Sequence, residues 1–180
     1  MGTLETKFNK TSRYDSLMVL VPDLFTDKYK SVLNIGAHKG RFEFGDMYEK
    51  AGYDITILEI YKPNVDYLRG LNKWKVLCGD ILTYNFDEKF DVVFWWHGPE
   101  HIDREQLSEA TKKLESITNH LVIMGCPWGI YKQGVCYGNE HEIHRTYYGV
   151  DEFTNLGYDC LTIGTKDVMG SNITSVKYVR

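Results

Sequence analysis

The sequence lacks the features that mark most secreted and membrane proteins. Its 180 residues include four cysteines without paired spacing. Two of them, Cys78 and Cys160, fall in predicted core strands, so reduced thiols are expected. The longest apolar runs have the length of a strand and no membrane partner is expected. The first residues are polar and lack the apolar stretch of a secretory signal, so a cytoplasmic location is expected.

The chain also has only a small excess of charge of one sign. The chain carries 25 Asp and Glu residues and 21 Lys and Arg residues, for a net charge of −4. No basic run occurs, and tight non-specific binding to nucleic acid needs many phosphate contacts, so no nucleic-acid partner is expected. The length predicts one domain over residues 1–180, with a flexible, mildly basic segment at 1–12.

Two familiar nucleotide-binding signatures are missing. The dinucleotide pattern GxGxxG is broken because His38 stands where its second glycine should be. The phosphate loop GxxxxGK[ST] does not occur either. Any nucleotide-like ligand must therefore be held by a different pattern.

Strands and helices alternate along the chain. Strands are predicted near 31–35, 54–59, 75–78, 91–96, 120–125, 158–164 and 172–179. Helices are predicted near 13–28, 40–51, 62–72, 103–118 and 149–156. This alternation predicts a parallel sheet with helices on both faces, and the last two strands should pair as an antiparallel hairpin. The long irregular segment from Pro127 to Tyr148 has a length typical of functional or mobile loops.

The strongest local signal is the turn after the first predicted strand. An apolar run at 32–35 ends in Gly36, and Gly40 follows it closely. The first glycine permits a tight turn and a close approach of backbone to ligand, and the second permits close packing of helix on strand. Such a junction usually holds a nucleotide-like cofactor.

Acidic residues follow the next two predicted strands. Glu59 ends the second strand, roughly 20 residues beyond the turn, where a carboxylate accepts hydrogen bonds from a ribose diol. Asp80 follows the third strand and is expected to accept a hydrogen bond from an adenine amino group.

The order and spacing of these markers resemble the class I S-adenosylmethionine-dependent methyltransferases over nearly the whole chain. The resemblance implies a Rossmann-like, doubly wound, seven-stranded α/β sheet with a C-terminal antiparallel hairpin, and S-adenosyl-L-methionine as the cofactor. Asn34 replaces the usual acid and is still able to accept from the cofactor's amino group. The resemblance implies cofactor contacts at Asn34, Gly36, Ala37, His38, Gly40, Glu59, Ile60, Asp80, Ile81 and Trp96.

A histidine-rich cluster follows the fourth predicted strand. Glu100 and His101 match the end of an E-x-x-E-H run, and this spacing resembles the ubiquinone-type and small-RNA-type O-methyltransferases. His97 replaces the first glutamate, and His144 best matches a further histidine of those families. The resemblance implies a divalent cation there, but hard cations prefer the missing carboxylate oxygen, so no metal is predicted. His101 is the first candidate for a base or acceptor-orienting group, followed by His97 and His144.

These observations predict an S-adenosylmethionine-dependent methyltransferase that acts on an oxygen of a small-molecule acceptor. A homo-oligomer or a partner subunit is able to complete such a small site. Two alternatives stay open: a non-catalytic cofactor-binding or scaffold subunit, and an RNA ribose methyltransferase. Methylation of exocyclic base amines is disfavoured, because no [DN]-P-P-[FY] tetrapeptide follows the fourth strand.

Overall fold

A computed structural model describes residues 12–40 and 42–179 of the chain. The segment predicted to be flexible, 1–12, lies outside these residues apart from Ser12. Ser12 is the N-cap of the first helix, α1 (Arg13–Leu20). Its hydroxyl accepts a hydrogen bond from the backbone N–H of Asp15, and the Asp15 carboxylate accepts one from the N–H of Ser12. This reciprocal capping box fixes the start of α1.

The framework of the protein is a seven-stranded mixed sheet. Its strands are β1 (Ser31–Ile35), β2 (Asp54–Glu59), β3 (Lys75–Cys78), β4 (Phe90–Trp96), β5 (Thr118–Pro127), β6 (Asp159–Ile163) and β7 (Asn172–Tyr178). The order across the sheet is β3-β2-β1-β4-β5-β7-β6. The first five strands are parallel, and β7 lies antiparallel between β5 and β6. The predicted Rossmann-like sheet with a C-terminal hairpin is confirmed.

The central strands are buried on both faces. In β1, Val32 packs into one core cluster and Leu33 into the other. Val92 and Val93 divide in the same way in β4. Successive side chains of a strand point to opposite faces, so a continuous apolar run requires a cover on each side. The helices supply that cover.

The helices are shorter than the sequence predicts. Those after α1 are α2 (Gly45–Lys50), α3 (Lys62–Gly70), α4 (Leu107–Ser116) and α5 (Asp151–Thr154). The first helix ends at Leu20 because Pro22 disfavours helical backbone at the residue before it. The second begins late because Gly40 and Phe44 adopt positive φ angles of 81° and 60°. Across the described residues, no helix is both long and apolar enough to cross a bilayer.

The four cysteines are free thiols. Cys126 is buried in β5, and burial raises the pKa of its thiol. Cys78 is exposed, so its predicted core position is wrong. The reason is that it ends β3, which lies at the edge of the sheet.

The strand order reverses next to β1. The chain crosses from β1 to β2 on one side, and β4 is the neighbour of β1 on the other side. The connections that follow β1 and β4 therefore leave in opposite directions. In open α/β sheets this reversal creates a crevice outside the carboxyl ends of the strands, and ligands bind there.

A glycine in β5 makes room at the edge of this crevice. Trp96, the last residue of β4, pairs with Gly125 across the two strands. A Cβ built on Gly125 would lie 2.4 Å from the indole ring of Trp96. The indole is only 5% exposed and has an edge contact with the Phe44 ring, so it has little freedom to move away.

We expect Gly125→Ala to lower the free energy of unfolding by about 1–3 kcal/mol, because overpacking forces the indole and its neighbours to shift. Urea denaturation of the purified protein measures the change. Gly134→Ala is the matched control, since a Cβ there would meet nothing within 4 Å among residues 12–40 and 42–179. Equal stability of the two variants would contradict the packing role of Gly125.

Candidate functional site

A cavity of about 570 Å³ opens at the carboxyl ends of β1, β2 and β4. Nine of the ten residues that the sequence assigns to a cofactor line it: Asn34, Gly36, Ala37, His38, Glu59, Ile60, Asp80, Ile81 and Trp96. We call it the main cavity. Its volume falls within the range of small-molecule sites, which is roughly 300–1,000 Å³.

Gly40 does not line the main cavity. A Cβ built there would lie 3.3 Å from the ring of Trp74 and 3.6 Å from Leu68. Gly40 therefore serves packing between the turn and the face of α3, which matches the second half of its sequence-based interpretation. Its predicted contact with the cofactor has no support from its position.

The carboxylate of Glu59 holds the turn after β1 by hydrogen bonds to backbone N–H groups. One carboxylate oxygen of Glu59 accepts hydrogen bonds from the backbone N–H groups of Ala37 and His38, at 3.1 and 3.0 Å. The other accepts from the N–H of Tyr61 at 2.9 Å. A carboxylate offers about four lone-pair sites, so these three bonds leave one. Glu59 is therefore able to accept one ribose hydroxyl, whereas the sequence assigned it both.

Gly36 forms the open part of the same turn. Its φ angle is +74°, which favours glycine over residues with a side chain. A Cβ built on Gly36 would meet no atom of the described residues within 4 Å, and Gly36 lines the main cavity. Asn34 braces the turn by donating its side-chain N–H to the carbonyl of Gly36 at 3.1 Å, which leaves its own side-chain oxygen available.

The irregular segment after β5 forms the far wall of the main cavity. Its side chains there are Asn139, His141, Glu142 and Arg145. The ring of Tyr137 lies 5.9 Å from the ring of His38, centroid to centroid, so this segment reaches back to the turn after β1. None of these four residues was among the predicted site residues, and only the length of the irregular segment pointed to a role for it.

The candidate catalytic residues meet beyond the end of β4. A 3₁₀ turn (Pro99–His101) carries Glu100 and His101, and the irregular segment brings His144 to them. One carboxylate oxygen of Glu100 and one ring nitrogen of each histidine all lie within 4.8 Å of one another. We call these three residues the Glu-His-His cluster. The sequence named all three, and the structure brings them together.

Backbone carbonyls orient both histidines of the cluster. Nδ1 of His101 lies 3.2 Å from the carbonyl oxygen of Ile143, and Nδ1 of His144 lies 2.6 Å from that of Tyr131. A carbonyl only accepts, so in the neutral rings each Nδ1 carries the proton and each Nε2 keeps a lone pair. Burial lowers the pKa of His144, so this imidazole is neutral near pH 7.

Glu100 is 2% exposed and is only partly satisfied. Its Oε1 lies 3.0 Å from Nδ1 of His97, while its Oε2 is buried without a partner among the described residues. Burial opposes the charge of Glu100, but the hydrogen bond to His97 and the nearby imidazoles keep the pKa of the carboxyl below its ordinary value. A charged, buried oxygen without a partner is costly unless something occupies the space before it.

A second cavity, of about 370 Å³, lies on the other side of the cluster. His97 and His101 line both cavities and so form part of the wall between them. The remaining lining mixes apolar side chains, such as Trp128, Ile130 and Met169, with polar and charged ones, such as Arg13 and Glu142. A ligand in each cavity would meet at these two histidines.

No protein-family model matches the chain, and no curated protein sequence matches it. Solved structures match its fold. TehB from Haemophilus influenzae has a TM-score of 0.63 and 13% identity over 85% of this chain and 58% of its own. ChlM, the magnesium protoporphyrin IX methyltransferase from Synechocystis PCC 6803 with bound SAM, has a TM-score of 0.63 and 12% identity over 90% and 74%. The N-methyltransferase NodS from Bradyrhizobium japonicum WM9 has a TM-score of 0.60 and 13% identity over 84% and 86%.

The matches cover most of the chain, although the chain spans only 58% of the length of TehB. They share the fold, at identities too low to transfer an activity. The chain therefore has the Rossmann-like fold of S-adenosylmethionine-dependent methyltransferases.

Proposed function

We propose that the protein is an S-adenosylmethionine-dependent methyltransferase and that it methylates an oxygen of a small-molecule acceptor. The observation that carries the proposal is the main cavity. It lies at the strand reversal of a methyltransferase fold, and nine residues with the expected spacing line it. Structural neighbours solved with bound SAM or SAH support the choice of cofactor.

The residues of the main cavity fit S-adenosylmethionine. The space beside Gly36 admits a ligand against bare backbone, and Glu59 keeps one lone pair for a ribose hydroxyl. The side-chain oxygen of Asn34 suits the amino group of the methionine part. Trp96 also lines the main cavity and adds an apolar surface to it.

When bound, S-adenosylmethionine supplies a methyl group on a sulfonium centre, which an acceptor atom takes by in-line displacement. The task of the protein is then mainly to hold donor and acceptor in line, which is able to contribute about 7–11 kcal/mol to lowering the barrier. Because His97 and His101 line both cavities, the second cavity is the proposed place of the acceptor.

The histidines support an oxygen acceptor. A hydroxyl must lose its proton as it is methylated, and an imidazole with a free Nε2 is suited to take that proton near neutral pH. His101 has its Nδ1 tied to a carbonyl and lies in the wall between the cavities. The fold alone does not select the acceptor atom, since NodS is named as an N-methyltransferase.

The Glu-His-His cluster fits a second chemical role, which is to hold a divalent cation. Both Nε2 atoms keep lone pairs, and the buried Oε2 of Glu100 lacks a partner among the described residues. The carbonyls that hold each Nδ1 are the kind of outer partners that orient metal-bound histidines. These observations favour an ion at the cluster, whereas the sequence-based prediction favours a base that works without metal. An ion would orient the acceptor oxygen and lower its pKa.

We expect Glu59→Ala to weaken binding of S-adenosylmethionine by roughly tenfold or more, because a hydrogen bond to a charged group contributes about 1.5–3 kcal/mol. The substitution also removes the acceptor of three backbone N–H groups, so thermal stability should fall. Isothermal titration calorimetry on the folded variant measures the affinity. Glu109→Ala, at an exposed position of α4, should bind as the wild type does. Unchanged affinity in folded Glu59→Ala would remove this carboxylate from the site.

Gly36→Val should abolish binding of S-adenosylmethionine, because its side chain enters the space proposed for the ligand. Gly52→Val is the matched control: both glycines have positive φ, +74° and +78°, and neither Cβ would meet any atom within 4 Å in the part of the chain that the structure describes. Both variants should lose similar stability from backbone strain. Only Gly36 lines the main cavity, so the control should keep its affinity. Normal binding by folded Gly36→Val would show that the cofactor lies elsewhere.

The role of the Glu-His-His cluster is tested by elemental analysis of tag-free protein. If the cluster holds an ion, we expect one divalent metal per chain and its loss in His101→Ala and His144→Ala. Transfer of labelled methyl groups into a cell extract should then stop with chelator and return with added metal. If the cluster is a metal-free base, chelator should have no effect, and activity should rise with pH as a histidine loses its proton. Absence of any transfer, with cofactor still bound, would support a scaffold subunit.

A further inference from the structure

His97 lies in a strained turn between the two cavities. It is the first residue after β4, and its φ angle is +51°, a left-handed value that is uncommon for residues other than glycine. Its backbone N–H donates to the carbonyl oxygen of Gly125 at 2.8 Å, which ties the turn to β5. Strained residues persist where the surrounding structure holds them, and they concentrate at functional sites.

The imidazole of His97 determines which carboxylate oxygen of Glu100 accepts a hydrogen bond. Its Nδ1 lies 3.0 Å from Oε1, and an ionised carboxylate only accepts, so Nδ1 donates. The carboxylate is thereby fixed with Oε1 engaged and Oε2 facing no partner among the described residues. Glu100 therefore offers one oxygen to the cluster.

His97 acts on the cluster through Glu100. The group of ligand atoms within 4.8 Å comprises Glu100, His101 and His144, and it does not include His97. The donor set is accordingly two imidazole nitrogens and one oxygen. Such a set suits zinc and similar transition metals, whereas Mg²⁺ prefers several oxygens in near-octahedral geometry.

We propose that His97 sets the metal selectivity of the Glu-His-His cluster, favouring Zn²⁺ over Mg²⁺. As a positioning residue it holds the Glu100 carboxylate in one orientation by its hydrogen bond. As an imidazole it also keeps a second carboxylate out of this position. The inference rests on the ion-bound form of the site proposed above.

The experiment measures metal affinity directly, on metal-free and tag-free full-length protein. Zn²⁺ affinity is measured by competition with a chromophoric chelator, and Mg²⁺ affinity by calorimetry. The ratio of Zn²⁺ affinity to Mg²⁺ affinity should be well above one in the wild type, because the donor set is two imidazole nitrogens and one oxygen. His97→Glu adds an oxygen donor beside Glu100 and removes the hydrogen bond, so this ratio should fall by about tenfold or more.

Two further variants separate the hydrogen bond from the fold. His97→Ala should weaken Zn²⁺ binding by about 10–100-fold, the usual effect of losing an outer partner of a metal ligand. His97→Asn should recover most of the lost Zn²⁺ affinity. The amide nitrogen of Asn is bonded to Cγ, as Nδ1 of His is, so it is able to donate to Glu100, and Asn tolerates positive φ. Thermal denaturation checks the folding of each variant. His144→Ala should abolish the Zn²⁺ signal and so assigns that signal to the cluster.

Equal Zn²⁺ affinity in the wild type and in folded His97→Ala would overturn the proposal, as would an unchanged selectivity in His97→Glu. A wild type that binds no Zn²⁺ at all would overturn it as well. S-adenosylmethionine binding, measured on the same samples, keeps the two proposals apart. If the wild type binds S-adenosylmethionine but binds no Zn²⁺, the selectivity proposal fails and the proposed methyltransferase stands.

Discussion

The burial of the central strands on both faces is the constraint on which the rest of the structure depends. A strand covered by helices on each side has no exposed face for polar groups, so these groups collect beyond its carboxyl end. Gly36 follows β1, Glu59 ends β2 and His97 follows β4. The main cavity lies where these ends meet, next to the reversal of strand order.

Two buried glutamates then hold the loops that form the site. Glu59 accepts three backbone N–H groups and fixes the turn beside the proposed cofactor. Glu100 acts on the other side: its backbone carbonyl accepts from the N–H groups of Arg145 and Thr146, and its side chain faces His97. A buried carboxylate is costly unless it is hydrogen-bonded, so Glu59 stabilises the one arrangement of its turn that offers it three N–H groups. The same bonds that stabilise the loops therefore preorganise the site.

Apolar patterning located all seven strands, most clearly the central ones, where two-sided burial leaves a continuous hydrophobic run in the sequence. The ends of the helices were harder to predict from the sequence. The end of α1 before Pro22 has a local cause that the sequence contains. The late start of α2 follows from the positive φ of Phe44, which no sequence pattern indicates. Glu59 shows the same division: its place at a strand end was predictable, but its three backbone bonds were not, and they reduce its capacity for ribose hydroxyls from two to one.

The sequence by itself indicated the fold class, through the alternation of strands and helices, and the turn at Gly36, through the apolar run and the glycine that ends it. A family resemblance named the residues of the Glu-His-His cluster. Only the tertiary structure decided which atoms of that cluster remain available. His101 is oriented by the carbonyl of Ile143, 42 residues away in sequence, and His144 by that of Tyr131. Hydrogen bonds between residues so distant depend on how the irregular segment folds back over the sheet. Such bonds leave no periodic or local signal in the sequence. The unpartnered Oε2 of Glu100 could therefore be recognised only from the tertiary structure.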